Sequence, residues 1–195
     1  MRWAMLALTL TLTTVAARRT ARWRARGDIA RALCCYRRAA WGLGLTVLCA
    51  MLVQETVLLA AGALDLRSGL PLHLCSAMGV CCLPMLLSRR RWLWHAALYL
   101  GAPGALAALV FPAVLPTPWP CVTEGAFFLM HAALAAAPIL PLGLGLRPEA
   151  RGAWHAAGFL AGLAAAAAAV NEVTGANYLF LNGLPLEAVR ALPLG

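Results

Sequence analysis

The amino-acid sequence predicts an all-helical protein that crosses a membrane several times, and three observations support this fold class. The 195 residues are 63% hydrophobic with a mean hydropathy of +0.78, whereas soluble domains are nearer half apolar. Only 12% of the residues are charged, well below the share in soluble domains. Long apolar runs alternate with short arginine-rich or proline-rich segments, which is typical of membrane helices joined by loops. We therefore expect a single integral membrane domain, a polytopic bundle of about six transmembrane helices, with seven as the upper estimate.

The apolar segments give the individual spans. We predict spans at residues 3–17, 39–64, 69–88, 92–115, 122–146 and 153–170. The first is shorter than the roughly 20 residues that a bilayer requires, so it is either a retained helix or a signal peptide. The arginine-rich stretch behind it favours a helix. Pro103 is expected to kink the fourth span, and Pro185–Leu192 could form a short interfacial helix after the last one.

The sixteen basic residues are all arginine, and their distribution predicts the orientation of the bundle. Residues 18–38 hold eight of them, and the loops after the third and fifth spans hold three and two. The remaining arginines are Arg2, Arg67 and Arg190. By the positive-inside rule, 18–38 is an Arg-rich cytoplasmic loop, and both termini lie outside together with a 171–195 tail. This topology accounts for the positive charge without a nucleic-acid partner, and the loop could also bind anionic lipid headgroups.

The source and location follow from the same composition. An all-arginine basic set in a chain rich in alanine and leucine is typical of GC-rich coding sequences. We therefore expect the inner (plasma) membrane of a bacterium as the location of this protein.

Polar residues within the spans converge on the outer half of the predicted bundle. With a rise of 1.5 Å per residue, His73 and Cys75 enter the third span near its outer surface, and Glu55 and His131 lie about 13 Å deep. The mouths of the fifth and sixth spans add Glu124, Asn171 and Glu172. An ionisable group in a membrane span is costly unless it has a partner or a cavity, so this cluster is the candidate site.

Cys75 and His131 are the candidate nucleophile and base. Cys75 follows a turn at 65–69 and Pro71, which suits a first helical turn, so the helix dipole would favour its thiolate. His73 and Cys75 are two residues apart, about 200° around a helix, so His131 is the better base. Glu55 either supports the site or makes one hydrogen bond to a histidine. His95 and His155, which follow Trp94 and Trp154 near the inner surface, are interpreted as structural.

Three motifs resemble those of a known family. They are Leu70-Pro71-Leu72-His73-Leu74-Cys75, Phe127-Phe128-Leu129-Met130-His131 and Asn171-x-x-x-Gly175-Ala176-Asn177-Tyr178-Leu179, within roughly residues 40–182. Together they are similar to the YwaF-like bacterial integral membrane family, which is related to the eukaryotic cysteine-dependent transmembrane acyltransferases that remodel ether phospholipids. The resemblance implies a bundle of six or seven helices. It also implies transfer of a fatty acyl chain between phospholipid and lysophospholipid through a cysteine, with Cys75 and His131 as the catalytic pair.

The leading hypothesis is therefore a membrane-embedded acyltransferase or lipid thioesterase that forms a cysteine acyl-enzyme and needs neither a cofactor nor a metal. Its partners would be membrane phospholipid and lysophospholipid. Asn171, Asn177 or the N–H groups of a helix N-terminus would hold the oxyanion. Tyr178 is a further candidate for substrate binding.

Other functions use the same polar residues. A proton-coupled transporter or small-solute binder would use Glu55, His73 and His131 as a proton relay. Zinc could bind His73, Cys75 and His131, although no ligand pair has the i, i+4 spacing of a helical zinc site. A non-catalytic structural membrane protein is the remaining alternative.

Overall fold

The computed structural model describes residues 1–114 and 116–183, and within these residues the protein is all-helical with no β-strand. The helices are α1 (Arg2–Ala25), α2 (Ile29–Ala60), α3 (Leu74–Ser88), α4 (Arg91–Ala96), α5 (Ala102–Val110), α6 (Pro120–Ala136) and α7 (Gly152–Thr174). A π-helical turn, Ala97–Gly101, joins α4 to α5. Two 3₁₀ segments, Ala137–Leu144 and Tyr178–Phe180, follow α6 and α7. The end of the predicted tail, with the expected helix at Pro185–Leu192, lies outside the described residues.

The helical membrane class is confirmed, with fewer long spans than predicted. Among the described residues, four helices are long and apolar enough to cross a membrane. They are Ile29–Ala60, Arg91–Val110, Pro120–Leu144 and Gly152–Thr174. α3 is equally apolar but has only 15 residues. α1 has 24 residues but is not among these four, so the predicted first span at 3–17 stays a prediction.

The arginine-rich segment 18–38 is mostly helix, which corrects the predicted loop. α1 continues to Ala25 and α2 begins at Ile29, so only residues 26–28 form a turn. Asp28 caps α2, because its Oδ1 accepts the Arg31 backbone N–H at 2.9 Å and so satisfies one of the free N–H groups at the helix start. Arginine is a good helix former, so the charges extend both helices beyond their apolar parts.

The other boundaries shift because glycine turns, and not the change from apolar to polar residues, end the helices. α2 stops at Ala60, four residues before the predicted end, where Gly62 adopts a left-handed φ of +67°. α7 continues past the predicted end at Val170 until Gly175, which has a φ of +68°. Glycine adopts this conformation without steric cost. Pro71 lies in the loop before α3 and not in its first turn.

The helices form an antiparallel bundle with two chemically different ends. α2 packs against α1, α3 and α6, while α5 packs on α6 and α4 on α7. One end, here called the arginine end, contains residues 18–38, 86–91 and 144–151. Its segments are joined by contacts that include the hydrogen bond from the Tyr36 hydroxyl to the Leu86 carbonyl at 2.7 Å. The opposite end, called the site end, contains the loop 61–73 and the segment after α7.

The π-helical turn divides the fourth span into two parts that face different neighbours. The Ala102 N–H bonds to the Ala97 carbonyl, five residues back. Pro103 follows at once and has no N–H to donate, which disrupts the regular α-helical pattern here. Below the turn α4 packs against α7, and beyond it α5 packs against α6.

Candidate functional site

The N-terminus of α3 carries Cys75. His73 is the extended N-cap residue, with a ψ of 149°, and the helix begins at Leu74. The first bond to the cap runs from the Ala77 N–H to the His73 carbonyl at 2.9 Å. Cys75 is therefore the second helical residue. Its N–H and those of Leu74 and Ser76 have no acceptor within the helix, because an α-helix leaves its first N–H groups unpaired.

The loop before α3 is shaped by a turn around Asp65. Its Oδ1 accepts the Arg67 backbone N–H and the Ser68 hydroxyl, each at 2.9 Å. The Asp65 carbonyl accepts the Gly69 N–H at 2.8 Å. Two hydrogen bonds hold the pKa of the exposed Asp65 carboxyl below its usual range, because both favour the carboxylate. The bond from the Ser68 hydroxyl has the larger effect and the bond from the Arg67 N–H the smaller one. The turn expected at residues 65–69 is thus present.

A segment after α7, residues 175–183, packs over this loop and is here called the strap. Tyr178 is fully buried at its centre. The Tyr178 hydroxyl accepts the Leu70 backbone N–H at 2.9 Å and donates to the Leu66 carbonyl at 3.0 Å. The strap therefore fixes the chain a few residues before the start of α3. Sequence reasoning placed Tyr178 near the site but missed this contact, which has no local sequence signal.

Asn171 and Asn177 use their side chains to hold the strap. The Asn171 amide donates to the Tyr178 carbonyl at 3.0 Å and accepts the Tyr178 N–H at 2.8 Å. The Asn177 amide donates to the Gly183 carbonyl at 2.8 Å and accepts the Asn182 N–H at 2.9 Å. Asn171 is buried and Asn177 is exposed. In each side chain, these bonds use the single oxygen and one amide N–H.

His73 lies beneath the strap. Its ring centroid is 5.2 Å from that of Tyr178 and 5.3 Å from that of Phe180, with both pairs tilted. The side chain is partly buried. Tilted aromatic contacts at this distance are favourable, so His73 joins the helix start to the strap.

Cys75 is partly buried against a glycine of the neighbouring helix. A Cβ atom added at Gly104 of α5 would lie 3.7 Å from the Cys75 Sγ. The absence of a side chain at Gly104 leaves room beside the sulfur. Cys75 also packs against the main core cluster, which includes Met130 and Leu134 on either side of His131 in α6.

His131 is almost fully buried in α6, with 3% of its surface exposed. Its Nδ1 lies 2.8 Å from the Phe127 carbonyl, and its ring is 4.1 Å from the Phe127 ring. A carbonyl can only accept, so Nδ1 carries the hydrogen and Nε2 keeps its lone pair. α3 packs against α6, but no hydrogen bond joins Cys75 to His131 in the described part of the chain.

The three acidic residues of the predicted site differ in burial. Glu55 is partly buried, and its Oε2 has no hydrogen-bond partner among the described residues. The Oε1 of the neighbouring Gln54 also has no hydrogen-bond partner among the described residues. Glu124 and Glu172 are exposed at the rim of the bundle. The expected hydrogen bond from a histidine to Glu55 is not found within the described ranges.

His95 and His155 meet at the arginine end, far along the bundle from Cys75. Their Nδ1 atoms are 3.1 Å apart, and their rings are stacked with centroids 5.3 Å apart. Gly152 of α7 lies directly against the His95 ring, where an added Cβ would be 2.6 Å away. This close contact between α4 and α7 agrees with a packing role for both histidines.

The described residues contain no group of three or more His, Cys, Asp or Glu side chains arranged to hold a metal ion. His73 is directed toward the strap and His131 toward Phe127. The zinc hypothesis therefore has no geometric support in this part of the chain.

The fold and the polar site end define an integral membrane helical bundle with a cysteine at a helix N-terminus and a buried histidine in the same half. The chain belongs to the TMEM164 family, whose model matches residues 1–194. No curated protein and no solved structure matches it. Membership of this membrane protein family agrees with the apolar helices, and it carries no evidence for a YwaF-like or acyltransferase relationship.

Proposed function

We propose that this protein is a membrane-embedded acyltransferase or lipid thioesterase with Cys75 as its nucleophile. The observation that carries the proposal is the position of Cys75 as the second residue of α3. There a thiol lies beside backbone N–H groups that have no helical acceptor and that favour negative charge. The resemblance of the three motifs to the YwaF-like family, which is related to cysteine-dependent transmembrane acyltransferases, is the second ground for the proposal.

In the first half-reaction, His131 Nε2 would take the proton from the Cys75 thiol. The sulfur would then attack the carbonyl carbon of a phospholipid ester. The tetrahedral intermediate would collapse to a thioester on Cys75, and the glycerol oxygen would leave with the proton from His131. The Nδ1 bond to the Phe127 carbonyl supports this role, because it presents Nε2 as the basic atom. The two side chains would approach each other when substrate binds, since catalytic hydrogen bonds often tighten only in the complex.

The oxyanion would be held by backbone N–H groups at the start of α3. The N–H groups of Cys75 and Ser76 are close to the sulfur and have no helical acceptor. The Asn171 and Asn177 side chains are poorer candidates, because both already bond to the strap. Backbone donors at a helix N-terminus are preorganised for developing negative charge.

In the second half-reaction, His131 would take a proton from a lysophospholipid hydroxyl or from water. The oxygen would attack the thioester and release the acyl product, and Cys75 would regain its proton from His131. Transfer to a lysophospholipid makes the protein an acyltransferase, while transfer to water makes it a thioesterase. His73 would anchor the helix start through the strap in both cases.

We also propose that the arginine end faces the cytoplasm and that the site lies toward the outer surface of a bacterial inner membrane. The thirteen arginines of residues 18–38, 89–91 and 147–151 lie at helix ends on one side of the bundle. The positive-inside rule places such a cluster in the cytoplasm.

The test uses the full chain purified in detergent and reconstituted with phospholipid that carries a labelled acyl chain, together with lysophospholipid. We expect acyl transfer and a thioester-linked acyl group on Cys75 that hydroxylamine removes. Cys75→Ala should abolish both, and His131→Gln should slow transfer by about 100-fold or more. The matched controls are Cys81→Ala in the same helix and His155→Gln at the arginine end, which should keep activity. Full lipid transfer by Cys75→Ala would overturn the assignment.

A proton-coupled transporter or solute binder is the second candidate, and it rests on Glu55. A partly buried carboxylate without a hydrogen-bond partner among the described residues is costly in a membrane, which is the usual sign of a functional group. In this case Glu55→Gln would abolish proton-coupled uptake into vesicles while Cys75→Ala would not. The acyltransferase hypothesis predicts instead that Cys75→Ala abolishes lipid turnover and that Glu55→Gln affects it less.

A further inference from the structure

The arginine end contains a pocket that takes no part in the proposed acyl transfer. Its volume is about 370 Å³, and it lies where α1, α2, α3 and the segment after α6 meet. Two of its lining residues are Arg24, in the last turn of α1, and Arg89, which caps α3. The other lining residues are apolar: Ile29, Ala32, Leu33, Leu144 and Leu146.

Arg24 reaches this pocket over a glycine. Gly145 has a φ of +89°, and an added Cβ there would overlap the Arg24 guanidinium. The glycine therefore serves two purposes, since it permits the left-handed turn and leaves space for the guanidinium. Any side chain at this position would displace the Arg24 head from its present place.

Arg89 enters the pocket from a special backbone conformation. Its φ is +55°, in the left-handed region that few residues other than glycine adopt, and its N–H bonds to the Met85 carbonyl at 3.1 Å. In the described part of the chain neither Arg24 nor Arg89 forms an ion pair. The acids at this end are already taken, because Asp28 pairs with Arg31 and Glu149 pairs with Arg91.

We infer that this pocket binds the headgroup of an anionic phospholipid. Two guanidinium groups without acidic partners among the described residues complement the charge of a phosphate, which arginine binds through paired N–H donors. The apolar lining residues suit the glycerol and upper acyl region of a lipid better than a free anion, which would gain nothing from them. The pocket also lies at the end of the membrane helices, where lipid headgroups are found. This inference does not depend on acyl transfer, because Cys75 is at the opposite end.

The experiment measures lipid binding to the delipidated full chain in detergent by native mass spectrometry. The probes are phosphatidylglycerol, phosphatidylcholine and inorganic phosphate. We expect one phosphatidylglycerol to bind more tightly than phosphatidylcholine, with no retained inorganic phosphate. Arg24→Gln and Arg89→Gln should each weaken phosphatidylglycerol binding about fivefold, and together they should remove the preference, as expected from the contribution of one cation near a lipid headgroup.

Two matched controls separate the pocket from general surface charge and from misfolding. The Arg18→Gln, Arg19→Gln double variant removes the same charge at the same end, from exposed α1 side chains outside this pocket, and it should keep the preference. Gly145→Ala should weaken binding, whereas Gly27→Ala should not. Gly27 has a similar φ of +79° with no atom within 4 Å of an added Cβ. Equal loss in the Arg18→Gln, Arg19→Gln variant, equal loss in Gly27→Ala, or equal retention of inorganic phosphate would overturn the inference.

Discussion

The two ends of the bundle both contain long-range hydrogen bonds, but they differ in charge. At the site end, the Tyr178 hydroxyl accepts the Leu70 N–H at 2.9 Å. At the arginine end, the Tyr36 hydroxyl donates to the Leu86 carbonyl at 2.7 Å, and two ion pairs with largely exposed side chains lie beside it. Exposed ion pairs contribute little to stability, whereas breaking a buried hydrogen bond is costly. Hydrogen bonds therefore fix the backbone at both ends, and the arginine end also presents charge.

The largest expected effect concerns which end faces the cytoplasm. On a cysteine-free background, Pro118→Cys should react with a membrane-impermeant maleimide in intact cells about tenfold or more faster than Ala25→Cys, because the arginine end stays inside. Both positions are exposed in the fold. Permeabilised cells are the control, since both probes should then react. The reverse pattern in intact cells would contradict the orientation and the outward-facing site.

The next effect tests the buried anchor of the strap. Asn171→Leu should lower the free energy of unfolding by about 2–4 kcal/mol, because it leaves the buried Tyr178 N–H without a partner and the Tyr178 carbonyl with only the long bond from the Leu181 N–H at 3.4 Å. Unfolding in a denaturant titration of the detergent-solubilised protein measures this. Asn177→Leu is the control, since its side chain is exposed, and it should cost under about 1 kcal/mol. Equal losses would show that the strap is not specifically anchored at Asn171.

A smaller effect distinguishes the two ends by removing one hydroxyl from each. Tyr178→Phe and Tyr36→Phe should each cost about 1–3 kcal/mol, because both tyrosines are buried and their hydroxyls donate to backbone carbonyls. Only Tyr178→Phe frees the Leu70 N–H near the start of α3. It should therefore change the alkylation rate of Cys75, measured by mass spectrometry, while Tyr36→Phe should not. An unchanged rate in Tyr178→Phe would mean that the strap does not position α3.

The smallest effect is the pH dependence of the turn before α3. The pKa of Asp65 is lower in the folded state than in the unfolded chain, so its carboxylate stabilises the turn above the unfolded value. That contribution is lost as the pH falls through the lowered pKa. Hydrogen-exchange protection of the Arg67 amide should thus decrease at acid pH in the natural protein. Asp65→Asn should show no such decrease, and an identical decrease in both would exclude the carboxylate as the cause.

Much of the fold was predictable, because hydropathy alone separates membrane helices from loops. The apolar cores of α2, α6 and α7 were found in this way. The helical part of residues 18–38 was not, since hydropathy measures burial in lipid and arginine is compatible with a helix in water. The predicted helix start near residue 69 failed for a related reason. The apolar run continues through Leu70 and Leu72, but turns set by Asp65 and Tyr178 delay the helix to Leu74.

The candidate site was predictable only in part. Helical depth predicted that His73 and Cys75 lie at one end of a span, and they lie at the start of α3. It could not show that Asn171 binds the backbone of Tyr178, because that bond depends on how a non-helical strap folds back. The pocket of Arg24 and Arg89 was also invisible in the sequence. Its two arginines are distant along the chain and line one pocket only in the folded protein, where Gly145 leaves space for Arg24.

The π-helical turn at Ala97–Gly101 allows α4 and α5, the two parts of one span, to be rotated independently about the helix axis. An α-helix advances by 100° per residue, so one inserted residue rotates everything beyond it by that angle relative to everything before it. His95 faces α7 on one side of the turn, and Gly104 faces Cys75 on the other. A regular α-helix of the same sequence could keep only one of these alignments. The inserted residue thus lets a single span pack against α7 with one part and against the start of α3 with the other.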